Sequence, residues 1–215
     1  MKTPSAPQPP VTYPPLAYED PQFLESEEGR PLRILAEYLQ PLHAFRRHRV
    51  HDTIVFFGSA RAGEDGPLGH FYRDARELAR LVTVWSQGFE SPAHRFLVCT
   101  GGGPGIMEAA NRGAADAGGR TIGLNIGLPH EQRPNPFITP GLCFQFHYFF
   151  MRKLWFAHLA RALVVFPGGF GTLDELFEIL TSRRRGSWIA GFPSSSTARN
   201  IGIGWSTSTR SSVPE

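Results

Sequence analysis

The sequence predicts a single α/β domain built on a doubly wound parallel sheet with helices on both faces. Three observations carry that reading. Short apolar runs of β type (53–57, 96–99, 162–166) each lead into a glycine-bearing turn and then a segment of helical spacing or the start of one. The 215 residues suffice for one α/β domain with a substantial core but are few for two. The glycine turns fall beyond the carboxyl ends of the strands, where open parallel sheets bind ligands.

Composition excludes several classes. Cys99 and Cys143 are far apart and both lie in apolar stretches, which fits buried free thiols in a reducing compartment better than a disulfide framework. The amino terminus has one lysine, then prolines and no apolar core of a secretory signal. The most apolar region, Phe144 to Phe166, is interrupted by Arg152, Lys153, His158 and Arg161, so no membrane span is expected. A soluble, cytoplasmic protein follows as the expectation. The net charge of +3 does not point to nucleic acid. Five arginines from Arg183 onward, against Glu215, supply a surplus of four and leave residues 1–182 at −1.

In chain order, residues 1–30 read as a disordered or docked arm, with seven prolines in the first 21 positions. Residues 31–49 form a helical segment: Pro31 opens a pattern of Leu32, Leu35 and Leu39, with Leu42 and Phe45 following Pro41, as one or two helices. The domain proper spans residues 50–181. Thr53–Phe57 is a buried strand ending in Gly58-Ser59-Ala60-Arg61, one lip of a ligand site. His70 to Gly88 reads as the first crossover helix, with Leu78, Leu81 and Val82 inward. Phe96–Cys99 is the second strand, followed by Thr100-Gly101-Gly102-Gly103-Pro104-Gly105 and a small-residue helix through Ala117. The dinucleotide fingerprint G-x-G-x-x-G fails here in both frames, since Ile106 or Glu108 stands where the last glycine belongs. Glu108 and Asn111 read as helix-surface or subunit-contact groups. Arg120–Ile126 is a third strand, running into the polar loop Leu128-Pro129-His130-Glu131-Gln132. The aromatic run from Phe144 to Phe150 exceeds what one small core requires, and part of it fits a subunit interface.

The stretch Pro167 to Glu178, PGGFGTLDELFE, is the centre of the functional reading. Pro167 stops a strand, while Gly168, Gly169 and Gly171 allow backbone angles closed to other residues. Leu173, Leu176, Phe177 and Leu180 then recur at helical spacing. Such a turn aims N–H groups and the positive end of a helix dipole at one small volume, a cradle for phosphate. Thr172 can cap the helix or donate to the same volume. Glu175 lies about one turn further, roughly 5 Å along the axis, where a carboxylate can act on a sugar attached to that phosphate. The plainer reading of Glu175, complementing the helix dipole, stands beside it. Arg152 and Lys153 are two cations inside an apolar helix, fifteen residues before Pro167. They read either as a structural salt bridge or as site residues.

PGGxGTxxE resembles the signature of the Lonely Guy family of nucleoside 5′-monophosphate phosphoribohydrolases, proteins often labelled lysine decarboxylase-like. The resemblance runs from about Ile54 to Thr181 and includes TGGGPGIMEAAN, the G-S-A turn and the Arg-Lys pair with its spacing from PGGxGT. It implies a Rossmann-like fold, hydrolysis of the N-glycosidic bond, a small-molecule nucleotide substrate and a homodimer. It needs neither metal nor redox cofactor. It implies substrate contacts from Gly58, Ser59, Gly101, Gly102, Gly103, Glu131, Arg152, Lys153, Pro167, Gly168, Gly169, Phe170, Gly171, Thr172 and Leu173. Glu175 would serve the sugar side, and Arg152 the leaving base or substrate orientation. A pyridoxal-dependent decarboxylase has little support in the residues. A non-catalytic nucleotide-binding or sensor module of the same superfamily is the alternative.

Beyond Thr181 the resemblance stops. Ser182 to Glu215 is rich in Ser, Arg and Gly, with no apolar run longer than three residues, and reads as coil. Degenerate codons for Ser182 to Ser208 admit a reading two bases on, approximately AQTRKLDRGIPVVLYGxEYWDRLVDF, which has the pattern of a helix end, a buried strand and another helix. The expectation is that residues 182–215 are an out-of-frame product and that the corresponding part of the domain is missing.

Overall fold

The computed structural model describes residues 13–89, 96–127, 133–183 and 202–204. The chain divides into two compact units, Met1–Ala36 and Glu37–Glu215. In the first, a single 3-10 turn (Ala17–Glu19) precedes α1 (Pro21–Glu25). The Asp20 carboxylate caps α1 by accepting from Gln22 N and Phe23 N, with Pro21 at the first helical position. α2 (Arg30–Arg47) is one helix that carries Pro41 inside it.

The second unit is a sheet with helices on both faces. Its elements are β1 (Thr53–Phe57), α3 (Gly69–Gln87), β2 (Leu97–Thr100), α4 (Ile106–Asp116), β3 (Thr121–Ile126), β4 (Cys143–Phe146), α5 (Phe149–Leu159), β5 (Ala160–Val165), α6 (Phe170–Arg183) and β6 (Gly202–Gly204). The sheet order is β4-β3-β2-β1-β5-β6. The first five strands are parallel, as expected, and β6 pairs antiparallel with the outer edge of β5. This short strand departs from the coil expected of the tail. An open strand edge offers unpaired N–H and C=O groups to any extended backbone that reaches it.

Burial follows from strand periodicity. Every residue of central β1 is buried. Ile54 and Phe56 join Val98, Val164 and Phe166 in the core beneath α3 and α4. Phe57 faces the other way and meets Phe156 of α5 edge-on, with ring centroids 5.1 Å apart. The α3–α4 contact is lined by Ala75, Ala79, Ala109, Ala110 and Ala114, whose small side chains let the two helices approach closely. Leu81 corrects one expectation: it is exposed, while Leu78 and Val82 pack against this core as read. Cys143 corrects another. Both cysteines are free, but only Cys99 is buried, because β4 is an edge strand with alternate residues outward. Burial pushes the Cys99 thiol pKa well above its ordinary range.

Among the described residues, no helix is long and apolar enough to cross a membrane.

Candidate active site

Strand order reverses between β1 and β5, because the chain steps outward from β1 through β2, β3 and β4 and then returns to β1's other side. Open α/β sheets bind ligands in the crevice at such a point. The β1 turn, Gly58-Ser59, and the β5 turn, Pro167-Gly168, are its lips. They are tied at the root: Ser59 N donates to Pro167 O at 3.1 Å and Phe166 N to Phe57 O at 2.8 Å. A third turn closes on the same place, since Ile106 N donates to Ser59 O at 3.1 Å. The three glycine turns picked from the sequence therefore converge around Ser59. Its Oγ accepts from Arg61 N at 3.1 Å.

In the PGGFGT turn the glycines work differently from the sequence reading. None of Gly168, Gly169 and Gly171 has a positive φ; the requirement is space. A Cβ on Gly168 would run into the Thr172 hydroxyl and lie 3.1 Å from Ser59 N, whereas one on Gly169 or Gly171 would meet nothing within 4 Å. Thr172 N and Leu173 N both turn back to Gly169 O, at 3.0 and 3.2 Å, and start the helix there. The mouth of α6 thus combines orphan N–H groups with open room on the outside of the turn. Pro167 and Phe170 flank it, both exposed.

Glu175 faces inward from the second turn of α6. Arg152 Nη2 of α5 meets Glu175 Oε1 at 2.5 Å, with the two side chains 13% and 9% exposed. Burial raises the Glu175 pKa above the ordinary carboxylate value, and Arg152 pulls against that rise. The guanidinium also lies over the Phe156 ring, 5.5 Å from its centroid. It approaches the second glycine wall too, since a Cβ on Gly101 would lie 4.0 Å from Arg152 Nη2. Arg152, Glu175, Gly101 and the β5 turn are thereby gathered at one end of the sheet. Lys153, with 16% of its side chain exposed, joins the same helix pair: its Nζ meets Asp174 Oδ2 at 2.8 Å and Glu178 Oε2 at 2.5 Å. Glu131 lies outside the described residues.

Three contributors escaped the sequence reading. Asn111, expected on a surface, is fully buried. Its Oδ1 accepts from Thr100 Oγ1 at 2.7 Å and from Asn135 Nδ2 at 2.9 Å. Asn135 reaches the carbonyls of Gly102 and Gly103, both at 3.1 Å, and Thr100 Oγ1 accepts from Gly102 N. This lattice holds the Gly101–Gly103 wall, with Gly102 at φ 78° against the Asn125 side chain. The available signal was an asparagine fixed between Pro134 and Pro136. Glu37 is the third. Its carboxylate accepts from His147 N at 2.7 Å and Tyr148 N at 3.2 Å, at the start of the helix that bears Arg152. Among the described residues, no group of three or more His, Cys, Asp or Glu is placed to hold a metal.

Comparison with known proteins agrees with the motifs. The family model described as "Possible lysine decarboxylase" matches residues 107–188. The cytokinin riboside 5′-monophosphate phosphoribohydrolase LOG of Oryza sativa subsp. japonica is 30% identical over 63% of this chain and 51% of its own length. The pyrimidine/purine nucleotide 5′-monophosphate nucleosidase of Escherichia coli K12 is 33% identical over 39% of this chain and 20% of its own length. The chain thus spans about half the length of the first of these relatives and a fifth of the second. Among solved structures, the molybdenum cofactor carrier protein of Chlamydomonas reinhardtii is similar at 23% identity, with a TM-score of 0.45 over 62% of this chain and 73% of that one. That likeness is too distant to add to what the sheet itself shows. The resemblance carried by the motifs is borne out by the sequence relatives: over part of its length this chain is similar to the Lonely Guy, lysine decarboxylase-like proteins.

Proposed function

We propose that this protein hydrolyses the N-glycosidic bond of nucleoside 5′-monophosphates, releasing the free base and ribose 5-phosphate. The observation that carries the reading is the Arg152–Glu175 pair, a buried acid and guanidinium beside an anion-cradling helix mouth at the sheet's switch point. Departure of the base builds positive charge at C1′ and negative charge on the base. In this reading Glu175 stabilises the cation or activates water, and Arg152 faces the departing base or orients the sugar. Gly168, Gly169, Phe170, Gly171, Thr172 and Leu173 bind the phosphate, and that remote grip supplies orientation for the bond being cut. Gly58, Ser59 and Gly101 to Gly103 form the facing walls, with Glu131 at the base or ribose. The names of the relatives support cytokinin riboside 5′-monophosphate and purine and pyrimidine nucleoside 5′-monophosphates as the first substrates to try. The reading includes a catalytic domain over residues 50–181, a cytoplasmic setting and a homodimer. The last is supported by Phe149, Phe150 and Leu154 of α5, all substantially exposed.

A panel of nucleoside 5′-monophosphates with chromatographic detection of free base tests the activity. Release of base from 5′-monophosphates but not from the matching nucleosides is the expected result. Tight nucleotide binding with no released base would instead establish a sensor module. Size-exclusion chromatography with light scattering tests the dimer.

A further inference from the structure

The Arg-Lys pair on α5 makes two separate links to α6, and only one enters the site. Arg152 reaches Glu175 in a buried contact. Lys153, one residue on, reaches Asp174 and Glu178, which stand one helical turn apart on the outer side of α6 and are 59% and 39% exposed. Two of the three ammonium donors of Lys153 are thereby engaged by protein carboxylates. α6 has little else to fix it. Among its described residues Ile179 is the buried apolar side chain and Leu176 is partly buried, while Leu173, Phe177 and Leu180 are 44%, 60% and 54% exposed. A helix with so narrow an apolar seat can roll or slide, and a shift of about 1 Å at a reacting group costs on the order of a hundredfold in rate.

We propose that Lys153 is a positioning residue: by bridging Asp174 and Glu178 it seats the start of α6 on α5 so that Glu175 meets Arg152, and it does not bind substrate. This rests on the catalytic role given to Glu175 above. It assigns a role to Asp174 and Glu178, which the sequence did not single out, and moves Lys153 from the substrate to the scaffold.

The test compares three variants of the full chain, K153M, K153R and D174N/E178Q, in steady-state hydrolysis of AMP and in a 13C NMR titration of the Glu175 carboxyl. Positioning predicts that K153M and D174N/E178Q each lower kcat about tenfold with KM within about twofold, and that K153R retains most of the rate. A substrate-binding lysine predicts the opposite: K153M raises KM about tenfold or more while D174N/E178Q leaves it unchanged, and that result overturns the proposal. The titration needs no turnover, so it separates this inference from the hydrolase reading. By charge alone, removing two carboxylates beside Glu175 lowers its pKa. Loss of its seat against Arg152 raises it. A rise in D174N/E178Q supports positioning and a fall overturns it, whether or not the wild type cleaves nucleotides. Should D174N/E178Q fail to fold, E178Q alone, which keeps the Asp174 link, is expected to show the same changes at smaller size.

Discussion

The Thr172 hydroxyl occupies the space that a Cβ on Gly168 would need. One position of the β5 turn is thus closed by the protein itself, while its neighbours Gly169 and Gly171 open outward. Gly168→Ala is expected to cost about 1–3 kcal/mol of stability, because the helix start must shift or Thr172 must turn away. Gly169→Ala is expected to leave the melting temperature unchanged and to raise KM for nucleotides, since its methyl group intrudes only on the ligand's room. Thermal unfolding and initial rates on the two variants check this. A destabilised Gly169→Ala protein would mean the turn is packed on both sides.

Glu175→Gln keeps the size of the side chain and removes its charge. Nucleotide binding is expected to persist in calorimetry while kcat falls by at least about 10²-fold. Near-normal turnover would remove Glu175 from the mechanism.

The pH dependence follows from the same residue. In the proposed reaction Glu175 acts as the carboxylate, and burial raises its pKa above the ordinary value of 4.5. Activity should therefore disappear on acidification at a pH above 4.5, earlier than for an exposed glutamate. Arg152 lowers that pKa, so Arg152→Gln should move the acidic midpoint of kcat/KM further up, on top of any loss in rate. A midpoint that moves down in Arg152→Gln would contradict the observed contact.

Asn111→Ala is expected to destabilise the domain by about 2–4 kcal/mol in urea unfolding, because Thr100 and Asn135 each lose a buried acceptor. The Gly101–Gly103 wall should lose its fixed shape at the same time, raising KM. Asn111→Asp should not rescue it, since a buried carboxylate would face the Ile122 carbonyl to which Asn111 Nδ2 donates.

Leu173, Phe177 and Leu180 form an exposed apolar stripe along α6, the pattern of a helix face with no neighbour among the described residues. A protein whose codons from Ser182 are read two bases on is expected to melt at higher temperature and to bind less of a hydrophobic dye. Sequencing the DNA across the codons for Thr181 and Ser182 checks the premise, and an intact frame there refutes it.

The sheet was legible because its central strands are buried on both faces, so that Thr53–Phe57 and Thr121–Ile126 stand out as apolar runs. The site lips were legible because glycine turns after strands have few other uses. The seating of α6 was not. Its apolar residues Leu173, Leu176, Phe177 and Leu180 recur at helical spacing, yet only Leu176 of these is partly buried, and Glu175 and Ile179 face in. Periodicity says which face prefers burial, not whether anything covers it. The partners of Lys153 were equally hidden, since Asp174 lies 21 residues away in sequence and only the folded helix pair brings them together. Asn111 was misread because an asparagine in a small-residue helix resembles a surface position until the donors that bond it are seen.

Because Ser59 N is bonded to Pro167 O and β1 is laddered to β5, the two lips of the crevice cannot part without tearing adjacent strands. They form a fixed jaw of set width. Admission of a ligand, and any gating of it, must then fall to other parts of the rim.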